Sequence, residues 1–275
     1  MKVRFAAMLS LLWMAGSVVF AGVVFEIETK DHTKSNAKAE MAQVKAEGKN
    51  LTMEIPSNTK GNDGDMIYRG ETREMLVVNH DQQAYTVMDM ETIKSLVGQM
   101  SQVMSQMQEA LKNVPESQRA MMEKMMKDKM PKGSMANVPK TEIKKTGKRE
   151  KVNGYPCTQY EVFQDGKKIR EMWVTDWKNV EGGKEATEVF EDMGAFFEEL
   201  VEALSSAGGK NLGSLGKNMF AQMKELNGFP VVTRDFDDKG ELTSESVLRS
   251  SERRELNPAD FEPPAGYKRQ TMMGR

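Results

Sequence analysis

The feature that most constrains the fold of this chain is a change in the spacing of its apolar residues. Over residues 23–88, apolar and polar side chains alternate in short runs, and a period of two is typical of half-buried strands. Residues 91–130 and 185–226 instead repeat apolar side chains every three or four positions, which indicates amphipathic helices. The alternation returns after each of these stretches. The sequence therefore predicts a sheet that two helical insertions interrupt.

Turn signals between the runs indicate how the strands connect. Asn153-Gly154 and Asp165-Gly166 are dipeptides that favour two-residue hairpins, and Asp237 to Gly240 predicts a turn between two late strands. Because hairpin connections place neighbouring strands in opposite directions, we expect an antiparallel sheet. Helical insertions that return the chain to one sheet predict an α+β fold. No linker divides residues 22–275, so we expect a single domain there.

The first insertion is unusually rich in methionine. Residues 100–135 hold nine methionines, and Pro115 suits the first turn of a second helix, so residues 91–130 are predicted to form a helical hairpin. Methionine is unbranched and polarizable, and surfaces that accept varied apolar partners use it often. The insertion therefore predicts either an adaptable apolar surface or a soft-metal site.

Reduced copper is the metal that such a site would take, because thioether ligands select it. However, methionine stripes at helical spacing are more often core or lid packing. His32 and His80 lie far from the methionines in sequence, and Cys157 is the only cysteine. Copper binding is therefore the lesser alternative, with no metal residue assigned and no cofactor expected.

The second insertion carries a broad apolar stripe opposite a row of glutamates. A sheet capped by two helical insertions makes a cleft, and clefts lined by adaptable residues accept acyl chains or amphipathic segments. The candidate binding residues are the apolar residues of both insertions: Met100, Met104, Met107, Met121, Met122, Met125, Met126, Phe196, Phe197 and Leu200. A structural or interaction module, whose helices only close an ordinary core, is the alternative.

Catalytic patterns are missing from the sequence. Neither histidine stands beside a serine or cysteine in a recognisable motif, and no G-x-S-x-G occurs, although a nucleophile needs a nearby base. Gly208-Gly209 lacks the lysine and serine spacing of a phosphate loop. We therefore expect a non-enzymatic protein. The basic run within residues 140–151 alternates with polar residues and predicts a solvated strand face, not a nucleic-acid surface.

The first 21 residues have the layout of a signal peptide. Lys2 and Arg4 precede an apolar stretch that ends near Ala21, a small residue suited to a cleavage site. The stretch is shorter than the roughly 20 residues of a comfortable membrane span. We expect cleavage after Ala21 and a periplasmic or secreted protein with no integral membrane segment in its mature chain. Cys157 then has no partner for a disulfide, and its strand-forming neighbours predict that it is buried.

Four stretches of the chain resemble one family of exported bacterial proteins of unknown function. They are residues 22–27, 114–119, 154–160 and 261–267, and the likeness covers nearly the whole mature chain. That family is distantly similar to the periplasmic lipoprotein carriers of the LolA and LolB type. The resemblance implies a strongly curved, incomplete antiparallel barrel, with helical insertions over its open face and an apolar cavity between them. It transfers no ligand, and the methionine hairpin is unlike the usual carrier lid.

A shorter likeness is confined to residues 114–119 and the methionines that follow them. This stretch is similar to a motif of periplasmic helical stress chaperones. Those proteins are all-helical, whereas this chain is mostly strand. A chaperone-like role toward a protein client therefore stands beside the interaction module as an alternative to binding a hydrophobic ligand.

Overall fold

The structure, a computed structural model, describes residues 22–55, 63–112, 141–206, 226 and 228–271. These residues form twelve strands and two α-helices. The strands are β1 (Gly22–Asp31), β2 (Glu40–Glu47), β3 (Asn50–Ile55), β4 (Gly64–Arg69), β5 (Glu74–Asn79), β6 (Ala84–Met88), β7 (Thr141–Val152), β8 (Tyr155–Gln164), β9 (Lys167–Thr175), β10 (Phe229–Phe236), β11 (Leu242–Arg254) and β12 (Lys268–Gln270). The helices are α1 (Met90–Lys112) and α2 (Gly183–Ser206).

All twelve strands belong to one sheet, in the order β12-β6-β5-β4-β3-β2-β1-β11-β10-β9-β8-β7. β1 joins the two halves, because it pairs with β2 on one side and with β11 on the other. β12 and β7 lie at opposite ends of the order, so the sheet is open. It is also curled: Asn153, in the turn after β7, donates to the carbonyl of Leu248 in β11 at 3.3 Å, although β9 and β10 lie between β8 and β11. The predicted α+β fold with a curved, open and mostly antiparallel sheet is confirmed.

One strand pair departs from the antiparallel prediction. β12 pairs with β6 in parallel, with Lys268 opposite Ala84. The chain reaches this edge by a crossing connection that contains a short 3-10 helix (Pro258–Phe261), not by a hairpin. The sequence patterns described above do not predict this strand. β4 lies within residues 23–88, where the alternation predicts short strands without giving their separate bounds.

The two predicted hairpin turns are confirmed. Asn153 and Gly154 have φ angles of 47° and 87°, and Asp165 and Gly166 have φ angles of 50° and 82°. Positive φ at both central residues matches the right-handed twist of paired strands. These turns set the register of β7, β8 and β9.

Both helices pack on one apolar core. Ile93 of α1 joins Phe196 of α2, and with them Phe25, Tyr68 and Leu248 from strands of both halves of the sheet. The predicted second helix of the methionine hairpin falls outside the described residues, as do residues 207–225 of the second insertion.

A second, smaller apolar cluster holds the C-terminal segment against the first half of the sheet. It contains Phe261 together with Val24 and Ile67. Asp260 joins it to the strands, since its carboxylate accepts from Lys45 at 2.8 Å and its carbonyl accepts from Thr52 at 2.6 Å.

Cys157 lies in β8 and is 3% exposed. Burial raises the pKa of its thiol, which lowers the fraction of reactive thiolate at neutral pH. The interpretation of this cysteine as a buried apolar residue is confirmed.

Candidate functional site

A cavity of about 340 Å³ lies between α2 and strands from both halves of the sheet. Its walls are mainly apolar side chains from β1, β2, β3, β10, α2 and the segments that flank β9 and β10: Ile27, Val44, Met53, Trp177, Thr187, Phe190, Glu191, Gly194, Glu198, Leu226, Gly228, Phe229 and Pro230. Ligand pockets of small molecules range from about 300 to 1,000 Å³. The cavity therefore has the size of a small binding site.

α2 uses two adjacent stripes of its surface. Val189, Met193 and Phe196 form one stripe, and they are buried in the core. Phe190 and Gly194 form the neighbouring stripe, which lines the cavity. A shift of one residue turns a helix by about 100°, so the same helix closes the core with one stripe and walls the cavity with the next.

Aromatic rings form a fixed wall of the cavity. Phe229 stacks on Phe25 with ring centroids 4.9 Å apart, and Trp177 meets Phe229 edge-on at 5.4 Å. Trp177 also contacts Phe190 of α2, with centroids 5.7 Å apart. Aromatic pairs in these geometries contribute about 0.5–1.5 kcal/mol each beyond their buried area. The wall is therefore preorganised without a ligand.

Polar contacts hold α2 over the sheet. The hydroxyl of Tyr68, which is fully buried in β4, donates to Asp192 at 2.7 Å. Burial, reinforced by this hydrogen bond, raises the pKa of Tyr68 well above its usual value, so the hydroxyl stays a donor. Arg253 of β11 reaches Glu185 at 2.7 Å, and Arg73 reaches Glu199 at 3.0 Å. The helix is thus anchored on both sides of the cavity.

The polar groups of the cavity lie on α2. Glu191 and Glu198 are exposed and stand two turns apart, whereas the Thr187 hydroxyl already donates to the Gly183 carbonyl at 2.7 Å. No lysine, arginine or histidine is among the lining residues in the part of the chain that the structure describes. The rim is therefore acidic and the interior apolar.

The structure places the predicted binding residues in three settings. Phe196 and Leu200 are 1% and 4% exposed and belong to the core beside the cavity, while Phe197 packs against that core. None of these three is among the lining residues. Met100, Met104 and Met107 belong to α1. Met121, Met122, Met125 and Met126 lie outside the described residues, and a binding role for the methionines stays a prediction.

Most of the residues that do form the wall were missed from the sequence. Ile27, Val44 and Met53 lie in the alternating runs of residues 23–88, and none of them, nor Trp177, was a candidate binding residue. The apolar alternation marks which side chains face inward. It does not show where the helix leaves space above them.

The described residues offer neither a metal cluster nor a membrane-spanning helix. No group of three or more histidine, cysteine, aspartate or glutamate side chains is arranged to hold a metal ion in the described ranges. Neither described helix combines the length and apolarity that crossing a bilayer requires.

Residues 89–267 match the family described as Domain of unknown function (DUF4412). No curated protein matches the sequence. An uncharacterized conserved protein from Thermus thermophilus is 7% identical over 92% of this chain and 91% of that chain, with a TM-score of 0.41. PNGF-II is 10% identical over 92% of this chain but only 31% of that chain, with a TM-score of 0.38. A LolA superfamily protein from Nitrosomonas europaea is 7% identical over 88% of this chain and 89% of that chain, with a TM-score of 0.22. Likenesses this distant carry no functional conclusion.

Proposed function

The chain belongs to the family of the DUF4412 domain, and we propose that it is a binding protein whose cavity takes the apolar chain of a small amphiphile. The observation that carries this proposal is the cavity itself: about 340 Å³ of space with apolar and aromatic walls, and with polar side chains only on α2. Apolar pockets that have a few polar groups at defined positions are the usual form of small-molecule sites.

The volume favours one hydrocarbon chain over several. A methylene group occupies close to the volume of a water molecule in the liquid, about 30 Å³, so about eleven methylenes would fill the cavity. Because burial contributes about 0.8 kcal/mol per methylene, a chain of about ten methylenes gains roughly 8 kcal/mol before the cost of ordering it. After that cost we expect dissociation constants of tens of micromolar, on the order of −6 kcal/mol.

The rim selects the head group. Glu191 and Glu198 line the same side of the cavity, and a carboxylate or phosphate head group would meet like charge there. A cationic or uncharged head group would not be repelled, and a cationic one would be attracted by roughly 1–4 kcal/mol at contact distance. The proposed ligand class is therefore a single-chain amphiphile with a cationic or neutral polar end.

We propose binding and not catalysis, because the walls supply packing surface and charge but no described nucleophile paired with a base. The exported location that residues 1–21 predict belongs to the same proposal. A binding protein for a hydrophobic ligand outside the cytoplasm would keep that ligand from aggregating in water.

Calorimetric titration of two matched probes tests the proposal. Dodecyltrimethylammonium and dodecanoate have similar chains and opposite charges, and each is used below its micelle concentration. We expect the cation to bind about tenfold tighter than the anion, since the rim is acidic. Quenching of tryptophan fluorescence by a brominated chain reports contact with Trp177, which lines the cavity.

A pair of glycine variants controls this titration. Gly194→Leu places a side chain at a lining position and should abolish binding. Gly98→Leu makes the same substitution on α1, where an added Cβ has no neighbour within 4 Å, and should leave binding unchanged. If neither probe binds, or if both glycine variants lose binding equally, the proposal of a ligand in this cavity is wrong.

A further inference from the structure

β7 presents an exposed basic surface at one end of the sheet. It is the last strand in the sheet order, and its residues 144–151 are all exposed. The strand carries five basic and two acidic residues, whereas the whole chain has a net charge of −2. The strand thus has a local excess of positive charge, five basic against two acidic residues, in a chain that is slightly acidic as a whole.

The register with β8 puts three of these cations on one face. Lys145 is opposite Tyr160, Arg149 is opposite Thr158, and Lys151 is opposite Pro156. These three β8 residues are an even number of positions apart, and paired residues of antiparallel strands share a face. Glu150 is opposite Cys157 and so lies on the other face. We call Lys145, Arg149 and Lys151 the basic face.

The cations of the basic face have no acidic partner among the described residues. Lys144 pairs with Glu142 at 3.8 Å. Lys145, Arg149 and Lys151 form no ion pair with any described carboxylate. The same holds for Lys148, which lies where the register of β7 shifts between Lys145 and Arg149. Lys145 lies over the Tyr160 ring, 5.7 Å from its centroid. This pattern contrasts with that of Arg234 in β10, which is neutralised by Glu171 and Glu245 at 3.1 and 2.6 Å.

We propose that the basic face docks on a bilayer surface rich in anionic phospholipid. The β8 residues opposite these cations, 156 to 160, span about 13 Å at a strand rise of about 3.3 Å per residue, so a plane can approach all three cations at once. A basic residue within about one Debye length of an anionic bilayer contributes about 1 kcal/mol of attraction. Docking here is independent of the apolar cavity, which neither β7 nor β8 lines.

Two observations favour a bilayer over an acidic protein or a second copy of this chain. The surface has more lysine than arginine, and lysine acts as a point charge while arginine recognises carboxylates in a paired geometry. Lysines on an edge strand also oppose the addition of an identical strand by charge repulsion. In addition, α2 carries seven carboxylates and one lysine, so a negatively charged surface would orient the molecule with α2 away from it.

Cosedimentation with vesicles tests the docking. Vesicles of equal phosphatidylglycerol and phosphatidylcholine are compared with phosphatidylcholine alone, using the wild type and the triple variant Lys145→Gln, Arg149→Gln, Lys151→Gln. We expect binding to the anionic vesicles only, a partition coefficient lowered on the order of a hundredfold in the variant, and loss of wild-type binding at high salt.

A second triple variant serves as the control, because it removes three positive charges from other parts of the chain. Lys34→Gln, Lys94→Gln and Lys184→Gln lie away from β7, so this control should change binding by less than about threefold. All variants share residues 1–21, so any effect of that segment is common to them. Gly194→Leu, which fills the cavity, should bind vesicles like the wild type and thus separates docking from ligand binding.

Three results would overturn the proposal. Equal binding to neutral vesicles would show that the charge is irrelevant, and equal losses in the two triple variants would show that only net charge matters. The third result is no binding to vesicles together with another interaction that depends on the basic face. Binding to polyglutamate would then assign the basic face to an acidic protein, and self-association in sedimentation equilibrium would assign it to a second copy of this chain.

Discussion

α2 and β7 are both long segments in which charges of one sign predominate. They differ in the partners that those charges contact. α2 carries seven carboxylates and β7 carries five basic residues. Several carboxylates of α2 contact the rest of the fold: Asp192 accepts from Tyr68, Glu199 pairs with Arg73, and Glu185 pairs with Arg253. The cations of the basic face have no such partner among the described residues. The difference teaches that charge on α2 helps to position an element, whereas the cations of the basic face have no such positioning role among the described residues.

The largest expected effect concerns the buried stripe of α2. Phe196→Ala removes a ring that is 1% exposed and contacts Tyr68, and we expect the free energy of unfolding to fall by about 4 kcal/mol, because a cavity remains in the core. Urea unfolding measures it. Phe197→Ala on the same helix is the matched control, and since Phe197 is only partly buried its cost should be clearly smaller. Equal costs would mean that α2 does not pack as described.

A smaller effect is expected at the contact between Asp192 and Tyr68. Asp192→Ala leaves a buried hydroxyl without its acceptor, which should lower the free energy of unfolding by about 2 kcal/mol. Tyr68→Phe removes the hydroxyl, so adding it to Asp192→Ala should cost less than the sum of the two single changes. Strict additivity of the two substitutions would contradict the hydrogen bond.

The pair between Glu185 and Arg253 should add a dependence on pH. The hydrogen bond from Arg253 lowers the pKa of Glu185 below its usual value of 4.5. Its contribution is therefore present above about pH 5 and is lost as the pH falls through the lowered folded-state pKa. Both side chains are partly exposed, so Glu185→Gln should cost only about 0.5 kcal/mol at pH 7 and almost nothing at pH 3. Urea unfolding at both pH values measures the difference.

Glu188→Gln is the control for that comparison. Glu188 lies on the same helix, and its lysine partner is 3.9 Å away in an exposed position. We expect the cost of this substitution to be nearly the same at both pH values. A pH dependence equal to that of Glu185→Gln would show that the effect comes from the total charge of α2.

The smallest expected effect is on β7. The triple substitution of Lys145, Arg149 and Lys151 by glutamine should change the free energy of unfolding by less than about 0.5 kcal/mol, because exposed side chains without partners contribute little to stability. The same urea measurement applies. A loss above about 2 kcal/mol would reveal partners that hold the fold together, and the contrast with α2 would disappear.

Much of the fold could be predicted because its signals are local. The hairpin turns at Asn153-Gly154 and Asp165-Gly166 need only two residues that accept positive φ, and the apolar stripe of α2 needs only its own spacing. β12 was beyond such reasoning. Lys268, Arg269 and Gln270 have no apolar alternation, and their pairing with β6 depends on where the preceding crossing connection leaves the chain.

The sequence predicted an apolar cleft between sheet and helices, but it did not identify the residues that line the cavity. The sequence indicated apolar space between sheet and helix, yet both stripes of α2 contain phenylalanine, and only tertiary packing decides that Phe196 enters the core while Phe190 faces the cavity. The other wall combines Ile27 and Phe229, which lie near opposite ends of the chain. Such a pair meets only through the pairing of β1 with β11 and of β11 with β10, which no local pattern encodes.

The position of β1 between β2 and β11 also has a consequence for how the protein acquires its structure. The register pairs Gly22 with Arg254. The sheet therefore becomes continuous only after the residues up to β11 have been synthesised. Until then, β1 has one unpaired edge that contains Val23, Val24 and Phe25, and contacts of such long sequence separation are slow to form. Unpaired apolar edge strands promote aggregation. The nascent chain is therefore most prone to aggregate before β11 is synthesised and pairs with β1.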